Sequence, residues 1–441
     1  MITFVTLILG LISGIYPIEV AVGGPVAAVE LTLDGAAAGR LAGPPWIARV
    51  DLGSDLRPHE LVARALDAEG GEIGRAAQWL NLPRPPAEVG VVLENDAKGV
   101  PQAARLTWQS VNGVNPASIG LTLDGQALQV DGTGRAALPP RDLKNLHVLS
   151  AELWFPPGLM AHRDVAYGGE YGSEVSTELT AVPVRIRPGA ALPAPAELAG
   201  WFTAGGRPLP VAATENGTGK VILVRVPTGQ EILGKVLSRS RLPAFPVIDS
   251  KMRLGPEDRV RFLSLASSSF KTSRVPAELF DLSTELAPKD GGLLAFLTRS
   301  RMLKEDRGKE RRIADAVAVA GLEASAENDR RAVVLVLGGE NKDISRYDPA
   351  TVRRYLESIR VPLFVWSLYG KDTPAALAWA SSGQPVEDIS SISRLEQAVD
   401  RLKAEMADQR IVWLDGRHLP QAIALGAAAK GVELVAEAPA R

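Results

Sequence analysis

"RAVVLVLGGENKDISRYDPATVRRYLESIRVPLFVW", residues 331–366, decides the fold of the C-terminal half of the chain. It contains an apolar run, a polar loop, an amphipathic segment and a second apolar run. Continuously apolar runs predict strands buried on both faces, and a helix between two of them predicts a parallel sheet. The loop Gly338-Gly339-Glu340-Asn341 should then lie at the carboxyl edge of that sheet, where open α/β folds usually bind ligands.

The same alternation extends through the rest of this half. Further buried runs begin at Val221 and Arg259, and helical segments such as "ERRIADAVAVAGLEASAE" separate them. This pattern predicts a doubly wound, Rossmann-like α/β domain over residues 201–441. The preceding stretch "RPGAALPAPAELAG" is rich in proline and alanine, so residues 188–200 are expected to form a linker.

The N-terminal half contains an internal repeat. Leu31–Gly35 and Leu121–Gly125 both read LTLDG, an alternating strand that ends in the Asp-Gly pair typical of hairpins. The spacing predicts two immunoglobulin-like β-sandwiches, over residues 1–85 and 86–187. His59 and His147 occupy equivalent places in the two copies, which favours a repeated structural role over catalysis.

The first sixteen residues are almost wholly apolar and allow two interpretations. A secretory signal would normally open with a basic residue, and the first one here is Arg40. The alternative is the first strand of the first sandwich. The run is too short to cross a membrane comfortably, so no integral membrane segment is expected. Sandwich modules of this kind favour a periplasmic or secreted location.

Composition excludes several classes of function. The 49 Lys and Arg residues against 51 Asp and Glu residues give a formal charge of -2, which argues against a nucleic-acid partner. There are no cysteines, so thiolate metal sites and cysteine nucleophiles are ruled out. The four histidines are far apart in the sequence, which disfavours a zinc site or a catalytic triad.

The segment from Val221 to about Gly416 resembles a von Willebrand factor A domain. The resemblance rests on the order strand, loop, helix and strand in residues 331–366. It also rests on a tail with a small-residue helix, a Ser-Gly turn, a long amphipathic helix and a last strand. Tandem immunoglobulin-like modules before such a domain are similar to bacterial proteins related to this family. The resemblance covers about half of the chain.

The resemblance implies a Mg²⁺ site at the carboxyl edge of the sheet, formed by an Asp-x-Ser-x-Ser loop, a threonine before a helix and the aspartate of a Thr-Asp-Gly turn. This sequence departs from that pattern at all three places, with Arg225, Arg311 and Gly338 near the ligand positions. Arginine repels a cation and offers no acceptor, so neither a metal nor a cofactor is expected. The edge could instead contact a protein partner through Arg225, Thr228, Arg311, Gly338, Gly339, Glu340 and Asn341.

One carboxylate cluster leaves an alternative open. Glu340, Asp343 and Asp348 could hold Ca²⁺, or Asp348 could cap a helix whose first residue is Pro349. We favour the capped helix.

The leading functional hypothesis is a non-catalytic protein–protein interaction or adhesion-type protein with a metal-independent domain of the A type and no catalytic residues. One alternative is a hydrolase with a site assembled from Ser381, Asp388 and His418. Another is a structural spacer within an envelope assembly.

Overall fold

The structure is a computed structural model that describes residues 2–6, 8, 10–23, 25–85, 87–96, 100–110, 114–156, 158–168, 179–226, 249–265, 274–293, 297, 310–338, 342–381 and 385–436. The chain divides into two compact units. The first comprises Met1–Pro83, Ala181–Leu414 and His418–Arg441, and the second comprises Arg84–Thr180 and Asp415–Arg417.

A β-sandwich opens the first unit. A three-stranded antiparallel sheet, in the order β1-β3-β6, faces a four-stranded sheet in the order β5-β4-β7-β8. Inward residues of both sheets share one core, which includes Ile18, Leu31 and Leu61. The strands are β1 (Ile2–Phe4), β2 (Leu11–Ile12), β3 (Ile15–Val22), β4 (Ala28–Leu33), β5 (Ala36–Leu41), β6 (Ile47–Asp51), β7 (His59–Leu66) and β8 (Glu72–Leu80).

The second unit is a sandwich with the same strand order. Its sheets run β13-β10-β9 and β12-β11-β14-β15, which match β6-β3-β1 and β5-β4-β7-β8 strand for strand. The prediction of two tandem β-sandwich modules is therefore confirmed. The strands are β9 (Ala87–Asn95), β10 (Pro101–Ser110), β11 (Ser118–Leu123), β12 (Gln126–Ala127), β13 (Arg135–Ala137), β14 (Leu146–Phe155) and β15 (Leu159–Gly168).

The remaining elements belong mainly to the C-terminal half. The strands are β16 (Leu179–Ile186), β17 (Phe202–Ala204), β18 (Arg207–Pro208), β19 (Val211–Glu215), β20 (Gly219–Arg225), β21 (Asp258–Leu263), β22 (Arg274–Val275), β23 (Glu310–Arg311), β24 (Arg330–Leu337), β25 (Lys342–Asp343), β26 (Leu363–Ser367), β27 (Glu387–Asp388), β28 (Gln409–Asp415), β29 (Ile423–Leu425) and β30 (Val432–Leu434). Among the described residues, the α-helices with defined bounds are α1 (Ile313–Ala324), α2 (Pro349–Ser358), α3 (Pro374–Trp379) and α4 (Ile392–Asp408).

A five-stranded parallel sheet forms the centre of the first unit. Its order is β21-β20-β24-β26-β27. Helices α1, α2 and α3 pack against one face, around Val333 and Leu335, and helix α4 packs against the other, around Val334 and Val336. The continuous apolar runs thus form strands buried on both faces, as the sequence predicts.

The first sandwich is joined to this α/β region through its apolar N-terminal residues. Ile2 and Phe4 lie in the sandwich core, and Leu11 lies in the core beneath α1 and α2. Strand β2 pairs antiparallel with β22. The side chain of Asn81 accepts a hydrogen bond from Ile12 N at 2.8 Å and donates one to Ile12 O at 2.9 Å. Ile2, Phe4, Leu11 and Ile12 therefore contribute to the folded core, as the strand interpretation requires.

Two strands belong to a sheet that the sequence did not indicate. Leu179–Ile186, placed in the second sandwich by the boundary at residue 187, lies in a sheet of order β19-β28-β16-β30. Strand β28, which follows the long helix α4, lies in the same sheet rather than extending the parallel one. The edge strand β27 has two residues and offers few main-chain groups for pairing, whereas β28 pairs along β19 from Val211 to Glu215.

Within the described residues, no helix has the length and apolarity needed to cross a membrane.

Candidate functional site

The predicted site lies where two neighbouring strands of the parallel sheet end. Arg225 is the last residue of β20 and pairs with Val336 on β24. Gly338 directly follows β24, so Arg225 and Gly338 occupy adjacent positions at the carboxyl edge. Thr228, Gly339, Glu340 and Asn341 lie outside the described residues.

Arg225 is directed into the protein. Its relative exposure is 2%, and its Nη1 donates a hydrogen bond to the main-chain carbonyl of Leu297. A buried guanidinium needs such acceptors, since its charge has lost the solvation of water. The side chain of Arg225 is thus an internal support of the edge and not a surface contact.

Arg311 is buried in the same way, also with 2% exposure. It lies in β23, which pairs in parallel with β25, so that Arg311 stands opposite Asp343. Ile344 N donates a hydrogen bond to Arg311 O at 2.8 Å. The expectation that Arg311 and Arg225 face a partner therefore needs correction, because each arginine side chain is enclosed by its own fold.

Asp343 caps helix α1 across the loop. Its carboxylate accepts hydrogen bonds from Ile313 N and Ala314 N, each at 3.1 Å, and from Ser345 N at 2.9 Å. Free amide groups and the helix dipole make the N-terminus of a helix a favourable place for a carboxylate. The loop after β24 and the start of α1 are consequently held together.

Asp348 caps helix α2, as predicted. Its carboxylate accepts from Thr351 N at 2.7 Å and Thr351 Oγ1 at 3.0 Å, and Pro349 is the first helical residue. The hydrogen bond from Thr351 N is the main reason that the pKa of Asp348 is lowered. Among the described residues, no group of three or more His, Cys, Asp or Glu side chains is placed to hold a metal ion.

Asp315 was not identified from the sequence, although an aspartate inside the apolar helix "IADAVAVAGL" is a visible signal. It is fully buried and accepts hydrogen bonds from Arg346 N at 3.1 Å and Tyr347 N at 3.3 Å. Arg312 Nη1 lies 2.9 Å from its carboxylate. Burial raises the pKa of Asp315, and these hydrogen bonds oppose that rise. The network anchors residues 345–347 to helix α1.

The groups at this edge do not fit a hard cation. Mg²⁺ and Ca²⁺ require several oxygen ligands, usually carboxylates, hydroxyls and water. Arg225 and Arg311 supply positive charge at two of the three positions where the family resemblance implies ligands. The carboxylate of Asp343 is already engaged by three main-chain amides.

The residues of the hydrolase alternative lie on separate elements. Asp388 is in the edge strand β27, where it accepts a hydrogen bond from Ser390 N at 2.8 Å and pairs with Arg394. His418 follows β28, which belongs to a different sheet. Ser381 is exposed beyond helix α3.

The two equivalent histidines hold equivalent turns. His59 Nδ1 lies 2.7 Å from Asp34 Oδ2, and His147 Nδ1 lies 2.8 Å from Asp124 Oδ2. Both aspartates have positive φ, 51° and 52°, in Asp-Gly turns. Each carboxylate also accepts the main-chain N–H of the residue after its histidine. The contact is a repeated structural clamp that joins the turn to the start of a neighbouring strand in the sheet, β7 in the first module and β14 in the second.

A cavity of about 350 Å³ lies at the opposite, amino edge of the parallel sheet. Arg330 projects into it and is bonded to Asp258 Oδ1 at 2.8 Å and to Gly217 O at 3.1 Å. Lys403 and Arg410 donate to main-chain carbonyls. The cationic groups of this cavity thus have protein acceptors, and the cavity lies away from the edge where such sheets usually bind ligands.

No family model matches the chain, and no curated protein matches it. Solved structures similar to it include fibronectin(III)-like modules of Clostridium thermocellum CbhA (12% identity, 40% of this chain, 98% of that chain, TM-score 0.16). The fibronectin-III array of RIM-binding protein matches at 8% identity over 44% of this chain and 83% of its own, with a TM-score of 0.25. A bacterial ice-binding adhesin matches at 12% identity over 46% of this chain and 72% of its own, with a TM-score of 0.15. With TM-scores this low, these similarities carry no argument about what the chain does.

Proposed function

We propose that this chain is a non-catalytic protein-binding or adhesion-type protein. Its α/β region is a von Willebrand factor A-like domain that binds a protein partner at the carboxyl edge of the sheet without a bridging cation. The observation that carries this proposal is the burial of Arg225 and Arg311 at the positions where the family resemblance implies metal ligands.

Electrostatics supports the metal-independent part of the proposal. A guanidinium stays protonated under ordinary conditions, so each of the two arginines is a fixed positive charge. Two unit charges about 6 Å apart repel by about 3 kcal/mol at an effective dielectric constant of about 20, and the repulsion doubles when the second ion is divalent. Direct protein contacts would then have to provide the recognition.

The construction of the edge supports its use as a binding surface. Loop residues 343–347 are anchored to helix α1 by Asp343 and Asp315. Strand β2 of the first sandwich is paired to β22 of the α/β region. A binding surface whose loops are ordered in advance loses less conformational entropy when a partner binds. In this proposal the sandwiches present the domain outside the cytoplasm, in a periplasmic or secreted setting.

Site-specific photo-crosslinking tests the proposal. A photoreactive amino acid replaces Asn341, which immediately precedes β25 in the sequence, and in a matched control it replaces the exposed Asn216 near the amino edge. Both proteins are exposed to extracts of the native organism in buffer with EDTA. We expect discrete crosslinked partners from position 341 and none of them from position 216. The proposal fails if both positions give the same products, or if the product of position 341 requires Mg²⁺.

A screen with ester, peptide and glycoside substrates tests the non-catalytic part. We expect turnover at background level. Turnover that His418→Ala abolishes would establish a hydrolase instead.

A further inference from the structure

The outer face of one sheet in the second unit carries exposed apolar side chains. In β14, Leu149 and Leu153 point into the sandwich core and are fully buried. The alternate positions point outward, and Trp154 is 45% exposed. Its cross-strand partner on β15, Met160, is 48% exposed. Removing an indole or thioether side chain from water is usually favourable in free energy. An adjacent exposed pair of such side chains therefore marks a candidate contact surface.

The indole of Trp154 is held in a defined position on this face. Its Nε1 donates a hydrogen bond to Glu152 Oε1 at 2.6 Å. Residues two apart in a strand point to the same side, so this bond holds the indole towards Glu152 on the outer face of the sheet. A ring tethered in this way can present a π-face to a partner at little cost in conformational entropy.

The outward positions around the indole are acidic. Glu152 is exposed, and Asp164 on β15 has 52% side-chain exposure. His162 Nε2 lies 3.1 Å from Asp164 Oδ2. None of the described outward positions of β11, β14 and β15 carries a lysine or an arginine. The face therefore combines an accessible indole with two carboxylates, and His162 is the basic side chain among these described outward positions.

We propose that this face of the second module, defined by Glu152, Trp154, Met160 and Asp164, binds a segment of the partner protein that is rich in arginine and lysine. The inference rests on the proposed protein-binding function and adds a second surface to it. An arginine or lysine side chain can stack on the indole by a cation–π contact while the two carboxylates neutralise the remaining charge. The Met160 side chain would cover the aliphatic part of the bound residue.

Isothermal titration of the full chain tests this inference. The probes are a short synthetic peptide rich in arginine and lysine, its counterpart with glutamate at every cationic position, and a neutral oligosaccharide. The variants are Trp154→Ala, Trp154→Phe and the double change Glu152→Gln with Asp164→Asn. Val92→Ala is the matched control, since Val92 is 55% exposed on the other sheet of the same unit. Circular dichroism establishes that each variant is folded.

We expect binding of the basic peptide alone, weakened about tenfold by Trp154→Ala and less by Trp154→Phe. The double variant should also bind more weakly and with a smaller dependence on salt. Absence of binding, equal binding by Trp154→Ala and wild type, or loss of oligosaccharide binding in Trp154→Ala would overturn the inference. If the peptide experiment fails but a partner is crosslinked at position 341, only the inference about the Trp154 face is overturned. If the peptide binds as expected but no partner is crosslinked at position 341, only the proposed function is contradicted.

Discussion

The imidazole Nδ1 of His147 lies 2.8 Å from Oδ2 of Asp124, and this contact fastens the Asp124-Gly125 turn to the start of β14. The other carboxylate oxygen of Asp124 accepts Val148 N at 2.9 Å. The same pair of contacts is formed by Asp34 in the first module, at 2.7 and 2.8 Å. A repeated five-residue sequence thus encodes a repeated clamp.

Asp124 should make stability depend on pH in the acid range. The hydrogen bond from Val148 N is the largest cause of its lowered pKa, followed by the contact with His147. A carboxylate with a lowered folded-state pKa contributes stability above its unfolded pKa of about 3.9 and loses it as pH falls through the folded value. Asp124→Asn should therefore be less stable than wild type at neutral pH, and the two urea midpoints should converge as pH falls below the unfolded pKa of about 3.9 and through the lower folded-state pKa. If the urea midpoints of wild type and Asp124→Asn differ by the same amount at every pH in this range, Asp124 does not cause the pH dependence.

Asp343 and Asp348 form a matched pair of helix caps. Replacing either with alanine removes the acceptor for amides at the start of a helix, and each change should cost about 1–2 kcal/mol of unfolding free energy. The measurement is equilibrium unfolding in urea. If Asp343→Ala instead left stability unchanged and abolished Ca²⁺ binding in calorimetry, Asp343 would be a metal ligand rather than a cap.

Asp315 should be the most sensitive carboxylate of the α/β region. Asp315→Ala removes the carboxylate that pairs with the guanidinium of Arg312 and accepts from the amides of Arg346 and Tyr347. Removing one partner of a buried pair typically costs about 3–5 kcal/mol. Thermal unfolding of this variant should show a correspondingly large decrease in Tm. The exposed ion pair between Lys342 and Glu310 serves as a control, because solvent screens it and Lys342→Ala should leave Tm close to that of wild type.

Asn81 joins the first sandwich to the α/β region. Its side chain forms hydrogen bonds with both main-chain groups of Ile12, and its main-chain carbonyl accepts a hydrogen bond from Tyr355 Oη at 2.9 Å. Asn81→Gly should destabilise the protein by about 2–3 kcal/mol, because buried main-chain groups lose their partners. Asn81→Ala should cost about 1 kcal/mol more, since φ is 57° at this position and alanine disfavours it. Equal unfolding free energies for the two variants would show that backbone strain contributes nothing here.

Much of the architecture could be predicted from the sequence because it depends on local pattern. The LTLDG repeat predicted two equivalent sandwiches, and the buried runs predicted a parallel sheet. Strand partners were harder to predict. An alternating segment such as Leu179–Ile186 shows that a strand forms but does not show which sheet it joins. Its neighbour β28 follows it by more than 200 residues.

The candidate site could be predicted in part. The sequence placed Arg225 and Gly338 at the ends of neighbouring strands, and the structure has them there. It could not show that the guanidinium of Arg225 is enclosed, because the direction of a side chain at the end of a strand depends on tertiary packing. The role of Asp343 was missed for a similar reason, since its helix begins 30 residues earlier in the chain.

The central claim is that a partner binds at the carboxyl edge without a cation. The most direct measurement is the affinity of the partner crosslinked at position 341, determined by calorimetry in EDTA and then in Mg²⁺, Mn²⁺ and Ca²⁺. Our account predicts the same dissociation constant in all four buffers. Binding that is lost in EDTA and restored by one of the cations would contradict it.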